Sequence, residues 1–258
     1  AGHPITRQAL DAALPDRPVL LIAADHHTAW ANTVALERAG LLHGRPTPPG
    51  TEIVMGGDGT ATGELREHGA YAHVLALRTS GGREDLGFAG REPQTPPSPA
   101  ERAADEAVMA RALRHCASYG FTSVHNMDGN IYQLELLAAL ERAGELICRT
   151  EVPFHMTPEH PLCALQTAVQ MTRDFASEKL RAGRIKLFMD GVIDSGTAFM
   201  LAPFTDGTNG TPLHSAARFA EIAIEADRLG LQISVHAIGD GAVRRVLDGY
   251  QAARQANG

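Results

Sequence analysis

Apolar residues recur along this chain with two different periods, and the change of period divides the sequence. In residues 184–201 (RIKLFMDGVIDSGTAFML), Ile185, Leu187 and Met189 alternate with Lys186, Phe188 and Asp190. A period of two is the mark of a strand, whose successive side chains point to opposite faces. Residues 231–240 (LQISVHAIGD) alternate in the same way, with Ser234 and His236 on one face and Ile233 and Val235 on the other. Shorter strands are predicted over 121–125 and 147–156. Helical patterns fill the intervals: 101–120, 132–145, much of 162–182, 215–230 and 241–258. Strands alternating with helices of this length imply parallel strands joined by right-handed crossovers.

The first 97 residues follow a different grammar. Thr6 is placed to cap a short helix that Pro15 ends. Residues 18–25 read as a buried strand running into Asp25, His26 and His27. Residues 28–41 read as a helix with Trp30, Val34, Leu36 and Ala39 on its apolar face and Gly40 as its C-cap. Gly56, Gly57 and Gly59 around Asp58 predict a hairpin. They are not a phosphate-binding loop, because no Gly-Lys-Ser/Thr follows at the required spacing. Residues 91–99 hold four prolines in nine positions and read as an exposed connector. The predicted organisation is therefore an N-terminal part, 1–97, and a repeating α/β part, 98–258.

Several predicted strands of the second part end on a polar or ionisable side chain: His125, His155, Lys186 with Asp190, and His236. In a (β/α) barrel the C-terminal strand ends are where the active site is built. Lys186, a cation on a mostly apolar strand, suits a base, a Schiff-base former or, once carbamylated, a metal ligand. It equally suits a lysine whose head snorkels out of the sheet. Only four strand–helix units are predicted, against the eight of a closed barrel. The sheet is then either open or part of a longer protein.

Composition narrows the function. The 258 residues carry a formal net charge of -7, with 23 Lys and Arg against 30 Asp and Glu, which argues against a nucleic-acid or anionic-membrane surface. The longest apolar run, 19–24, is far too short to span a bilayer. Three cysteines without CxxC spacing point to neither a disulfide framework nor a thiolate zinc site, and make the cytoplasm the default compartment.

Four segments, RPVLLIAADHHTAWANTVALERAGL, GFTSVHNMDG, RIKLFMDGVIDSGTAFM and LQISVHAIGDGAV, resemble the amidohydrolase superfamily, in particular its YtcJ-like branch, amidohydrolase family 3. They occur in the family's order, and the resemblance covers nearly the whole chain. It implies a metal-dependent hydrolase on a (β/α) barrel with an additional β-rich domain, acting on a small-molecule substrate. It also implies one or two divalent metals, often zinc, held by a His-x-His pair on the first strand and a carbamylated lysine on the fourth. Histidines on the fifth and sixth strands and an aspartate on the eighth complete the set. The resemblance places Lys186 at the fourth-strand lysine and His236 at the fifth-strand histidine, as metal ligands and catalytic residues. It also makes His27, His125 and Asp190 candidate substrate contacts, His27 lying in a segment similar to an Asp-Gly-His stretch. No His-x-His occurs in this sequence, and the resemblance stops after the fifth strand. The expectation is the middle of a longer enzyme: strands two to five of a partial TIM-like barrel, preceded by an insertion with a short strand, a helix and a β-hairpin. Two alternatives stay open, a Schiff-base enzyme using Lys186 and a truncated, inactive barrel piece. The uncovered edges of such a piece predict a homo-oligomer.

Overall fold

The computed structural model describes residues 5–24, 26–47, 51–193 and 196–258. Asp25, at the end of the first predicted strand, lies outside them. The chain divides into two compact units, Ala1–Asp85 and Leu86–Gly258.

The first unit holds helix α1 (Arg7–Ala13), strands β1 (Leu20–Ile22) and β2 (Thr28–Ala31), helix α2 (Thr33–Arg38), strands β3 (Glu52–Met55) and β4 (Ala61–Arg66), and helix α3 (His68–Leu75). The four strands form an antiparallel sheet in the order β1-β2-β4-β3. The helix expected over 28–41 is thus half strand. Asn32 makes the change: its buried side-chain oxygen accepts from the amides of Val19 and Ala35, both at 3.0 Å. Its amide group donates to the carbonyls of Leu14 and Arg17 at 2.9 and 2.7 Å. One residue therefore ends β2, caps α2 and ties down the preceding loop. The hairpin forms as expected between β3 and β4, with Asp58 accepting from the Thr60 amide at 2.9 Å.

In the second unit, part of the proline-rich segment is pinned down. Glu92 accepts from the amides of Ile131 and Tyr132 at 2.7 and 3.1 Å, and Asn130 donates to the Arg91 carbonyl at 2.8 Å. Helix α4 (Pro99–Ser118) opens on a capping box between Ser98 and Glu101. There follow β5 (Ser123–His125), α5 (Ile131–Arg142), β6 (Arg149–Glu151), β7 (Phe154–His155), α6 (Leu165–Asp174), β8 (Leu180–Arg181), β9 (Arg184–Phe188), α7 (Ala216–Arg228), β10 (Gln232–His236) and α8 (Asp240–Asn257). The predicted strand over 147–156 is broken at Pro153, which lacks an amide donor. The helix predicted through residue 182 ends at Asp174, because residues 180–181 pair with β6 instead.

All pairings here are parallel: β5-β6-β8 in one sheet and β7-β9-β10 in the other. The breaks are bridged. Val152 donates to the Arg181 carbonyl at 3.0 Å, and Gln232 to the Gly183 carbonyl at 2.9 Å. Spatial order therefore follows chain order: β5, then β6 with β7, then β8 with β9, then β10. The fold is mixed α/β. The partial barrel expected from the sequence is not confirmed: these strands form two three-stranded sheets, and neither returns on itself among the described residues. One face of β9 carries Ile185 and Leu187, with Met189 just past its end, into a core with Phe219, Ile222 and Val246 from α7 and α8. Among the described residues no helix is long and apolar enough to cross a membrane.

Candidate functional site

The alternation of β9 and β10 leaves Lys186 and His236 on the face opposite this core. Register places His155 of β7 and Ser234 of β10 on either side of Lys186, and pairs Phe188 with His236. Lys186 is 8% exposed, its Nζ 4.2 Å from the centre of the Phe188 ring. Phe188 also lies between the two histidines with its ring tilted to both, at 5.4 Å from His155 and 5.1 Å from His236. Burial pulls the lysine pKa below its ordinary value, and Asp128 opposes that shift. The site lies where four strand lines end, so side chains distant in sequence meet there.

The two histidines have defined tautomers. His236 Nε2 lies 2.9 Å from the Gly191 carbonyl, an acceptor, so in the neutral ring Nε2 carries the proton and Nδ1 the lone pair. His155 bonds the Gly87 carbonyl, and its buried Nδ1 has no partner among the described residues. Burial, and then the neighbouring lysine charge, bring its pKa down to about 4. His155 is neutral at pH 7. Asp128 Oδ1 is likewise buried without a partner; burial raises the pKa of this carboxyl, against the pull of Lys186 and His236.

One expected contact of the second unit, His125, sits elsewhere. His125 pairs with Glu151 in register, and its Nδ1 lies 3.3 Å from that carboxylate. Glu151 precedes His155 by four residues, about 13 Å along an extended strand. His125 lines a separate hollow of about 210 Å³ with Glu151, Lys179 and Arg181. Asp128, three residues on, feels the lysine charge instead. The turn-like run Asn-Met-Asp-Gly hid this residue, and nothing in its pattern marks it out. Asp190 is 3% exposed and fastens backbone. Its Oδ1 accepts from Ile238 at 3.0 Å, and its Oδ2 from Phe199 and Gly239, both at 2.8 Å. It holds the end of β9 to the turn before α8. Asp240 extends the same seam by accepting from the Leu201 amide at 2.7 Å. His27 belongs to the first unit and bonds Glu67 at 3.0 Å.

The sequence pattern of the amidohydrolase family matches residues 1–258. The chain belongs to this family. The chain is 28% identical over 258 residues to the putative amidohydrolase YtcJ of Bacillus subtilis, covering 98% of this chain and 44% of that one. It is 27% identical over 260 residues to an N-substituted formamide deformylase of Arthrobacter pascens, covering 97% and 44%. A crystal structure of an uncharacterised metal-dependent hydrolase from Pyrococcus furiosus superposes with a TM-score of 0.61 at 27% identity, covering 96% of this chain and 46% of that one. The chain thus spans less than half the length of these relatives.

Proposed function

We propose that this chain carries part of the active site of a metal-dependent hydrolase that cleaves carbon–nitrogen bonds in non-peptide amides or cyclic amides. The observation that carries the reading is Lys186: a buried lysine of lowered pKa, between His155 and Ser234 on parallel strands, in a chain that matches the amidohydrolase family from end to end. The relative from Arthrobacter pascens supports the bond type, since its name denotes loss of a formyl group from nitrogen. In this proposal β5 to β10 are strands two to five of a (β/α) barrel, and the first unit is an insertion before them.

The donors fit a divalent metal such as zinc in kind but not in number. His236 presents an Nδ1 lone pair, and Lys186 loses its proton readily or takes up CO2 as a carbamate. Among the described residues, however, no group of three or more His, Cys, Asp or Glu side chains is placed to hold a metal ion. In this proposal the remaining ligands come from outside the described residues. When bound, such a metal supplies Lewis acidity to a substrate carbonyl and to water. The chain's own contribution is to keep Lys186 dry beside Phe188 and to fix the His236 ring on the Gly191 carbonyl. Reduced cysteines, free among the described residues, agree with a cytoplasmic setting.

In the full-length enzyme, Lys186→Ala and His236→Ala should each lower metal content and amide turnover together. Full metal with full turnover in either variant overturns the assignment. The low lysine pKa also favours a second reading, Schiff-base chemistry. Borohydride trapping of a carbonyl substrate on Lys186 would select that reading over the hydrolase.

A further inference from the structure

Two buried polar atoms near Lys186 lack a partner among the described residues, and both are hydrogen-bond acceptors. One is Nδ1 of His155, since the other nitrogen of that neutral ring donates to the Gly87 carbonyl. The other is Oδ1 of Asp128. Asp128 is half-buried: the chain's own atoms enclose Oδ1, while Oδ2 stays open. Neither oxygen accepts a hydrogen bond or joins an ion pair among the described residues. An unmet buried acceptor is costly and rare, so such atoms mark a place where a donor arrives.

Contacts on both sides fix where Asp128 stands. Before it, Met127 Sδ lies 4.0 Å from the guanidinium of Arg184, which shares a face of β9 with Lys186. After it, Gly129 donates at 3.1 Å to the Gly87 carbonyl that also accepts from His155. No side chain fits at Gly129, where a Cβ would run into Cγ1 of Val152. The turn is therefore pressed against the strand ends that carry His155 and Lys186. The charges agree, since Lys186 and His236 are the groups whose charge acts on Asp128.

A carboxylate in this position takes a donor. Lys186 is near but forms no ion pair with it among the described residues. An amide nitrogen that bears hydrogen is a donor of the right kind, whereas an ester oxygen and the nitrogen of a tertiary amide are not. We propose that Asp128 receives the N–H of the substrate amide and so restricts the site to amides whose nitrogen keeps a hydrogen. The proposal rests on the hydrolase reading in taking the ligand to be an amide. A charged acceptor on that N–H orients the amide plane and is worth about a tenfold preference or more. A tertiary amide forgoes the bond and sets an alkyl group against the carboxylate.

The test uses the full-length enzyme and two cyclic amides, 2-pyrrolidinone and N-methyl-2-pyrrolidinone. The ring fixes the amide geometry in both, so the pair differs in N–H against N-methyl. Dissociation constants are measured by ligand-observed NMR titration. The parent should bind 2-pyrrolidinone about tenfold more tightly than its N-methyl derivative. In Asp128→Leu, which is similar in size and has no acceptor, the ratio should collapse to about one with an unchanged circular dichroism spectrum. Asp128→Asn keeps an oxygen without the charge and should retain about a threefold ratio, a graded rescue that a merely structural role would not produce. If Asp128→Leu does not fold, Asp128→Asn decides, and a ratio equal to the parent's overturns the proposal. So does a parent that binds neither lactam or both equally, or a preference that survives in Asp128→Leu. Binding is read rather than turnover, so a failure here is separable from a failure of the hydrolase reading.

Discussion

Removing the Asp190 carboxylate should loosen the far end of the site more than any change at an exposed ligand. The residue is 3% exposed and accepts from three amides, at Phe199, Ile238 and Gly239, with distances of 2.8–3.0 Å. Asp190→Ala strands all three. A stranded buried donor costs about 1–3 kcal/mol. Donors sharing one acceptor are coupled, so the expected loss is about 4 kcal/mol rather than the simple total. Asp190→Asn keeps an oxygen for two amides and turns its NH2 towards the third, for a loss of about 2 kcal/mol. Urea unfolding should show the order wild type, Asn, Ala, with the Ala midpoint lower by about 2 M if the urea slope is about 2 kcal/mol per M. Because the chain has two compact units, hydrogen exchange at the Phe199, Ile238 and Gly239 amides should be read beside the bulk transition. Loss of the anchor also frees Gly191, whose carbonyl fixes His236. Nitrogen NMR of the His236 ring should then report a mixture of tautomers where the parent has one. A loss below about 1 kcal/mol in Asp190→Ala, with these amides still protected, would refute the fastening role.

Two further outcomes follow from the same geometry. Burial lowers the His155 pKa from 6.5 to about 4, so the folded chain binds its proton less readily than the unfolded chain. The associated stability is complete above pH 6.5 and falls as pH drops towards 4, by about 3 kcal/mol in all. His155→Leu should flatten the unfolding midpoint between those values; an unchanged pH profile would count against a neutral buried imidazole. Lys186→Met removes an amine whose charged form is disfavoured by burial, and should hold or raise stability by about 1 kcal/mol while abolishing any chemistry that needs the lysine. A clear drop in the urea midpoint would mean that the amine is well solvated or paired.

The strands that frame the site were readable from sequence because each has one face in a core. Ile185, Leu187 and Met189 must alternate with Lys186 if one side of β9 is to be dry, and Ile233 and Val235 do the same for β10. The first unit was less readable. Thr28–Ala31 is rich in alanine and carries one tryptophan, a pattern that suits a helix face and a short strand equally, and the decision rests on the four hydrogen bonds of Asn32. Helix α3 went unread, since HGAYAHVL has no strong period. Within the site, Lys186, His155 and His236 were visible as polar ends on apolar strands. The separation of His125 from them depends on register: it stands level with Glu151, whereas Lys186 stands level with His155. The framework role of Asp190 depends on loops that return from residues 199 and 239, which no local pattern encodes.

The most direct test of the account is elemental analysis of the full-length enzyme beside its Lys186→Ala variant, with amide turnover measured on the same samples. The account predicts near-stoichiometric divalent metal in the parent and a joint loss of metal and turnover in the variant. A variant that keeps both would contradict the placement of the active site at Lys186.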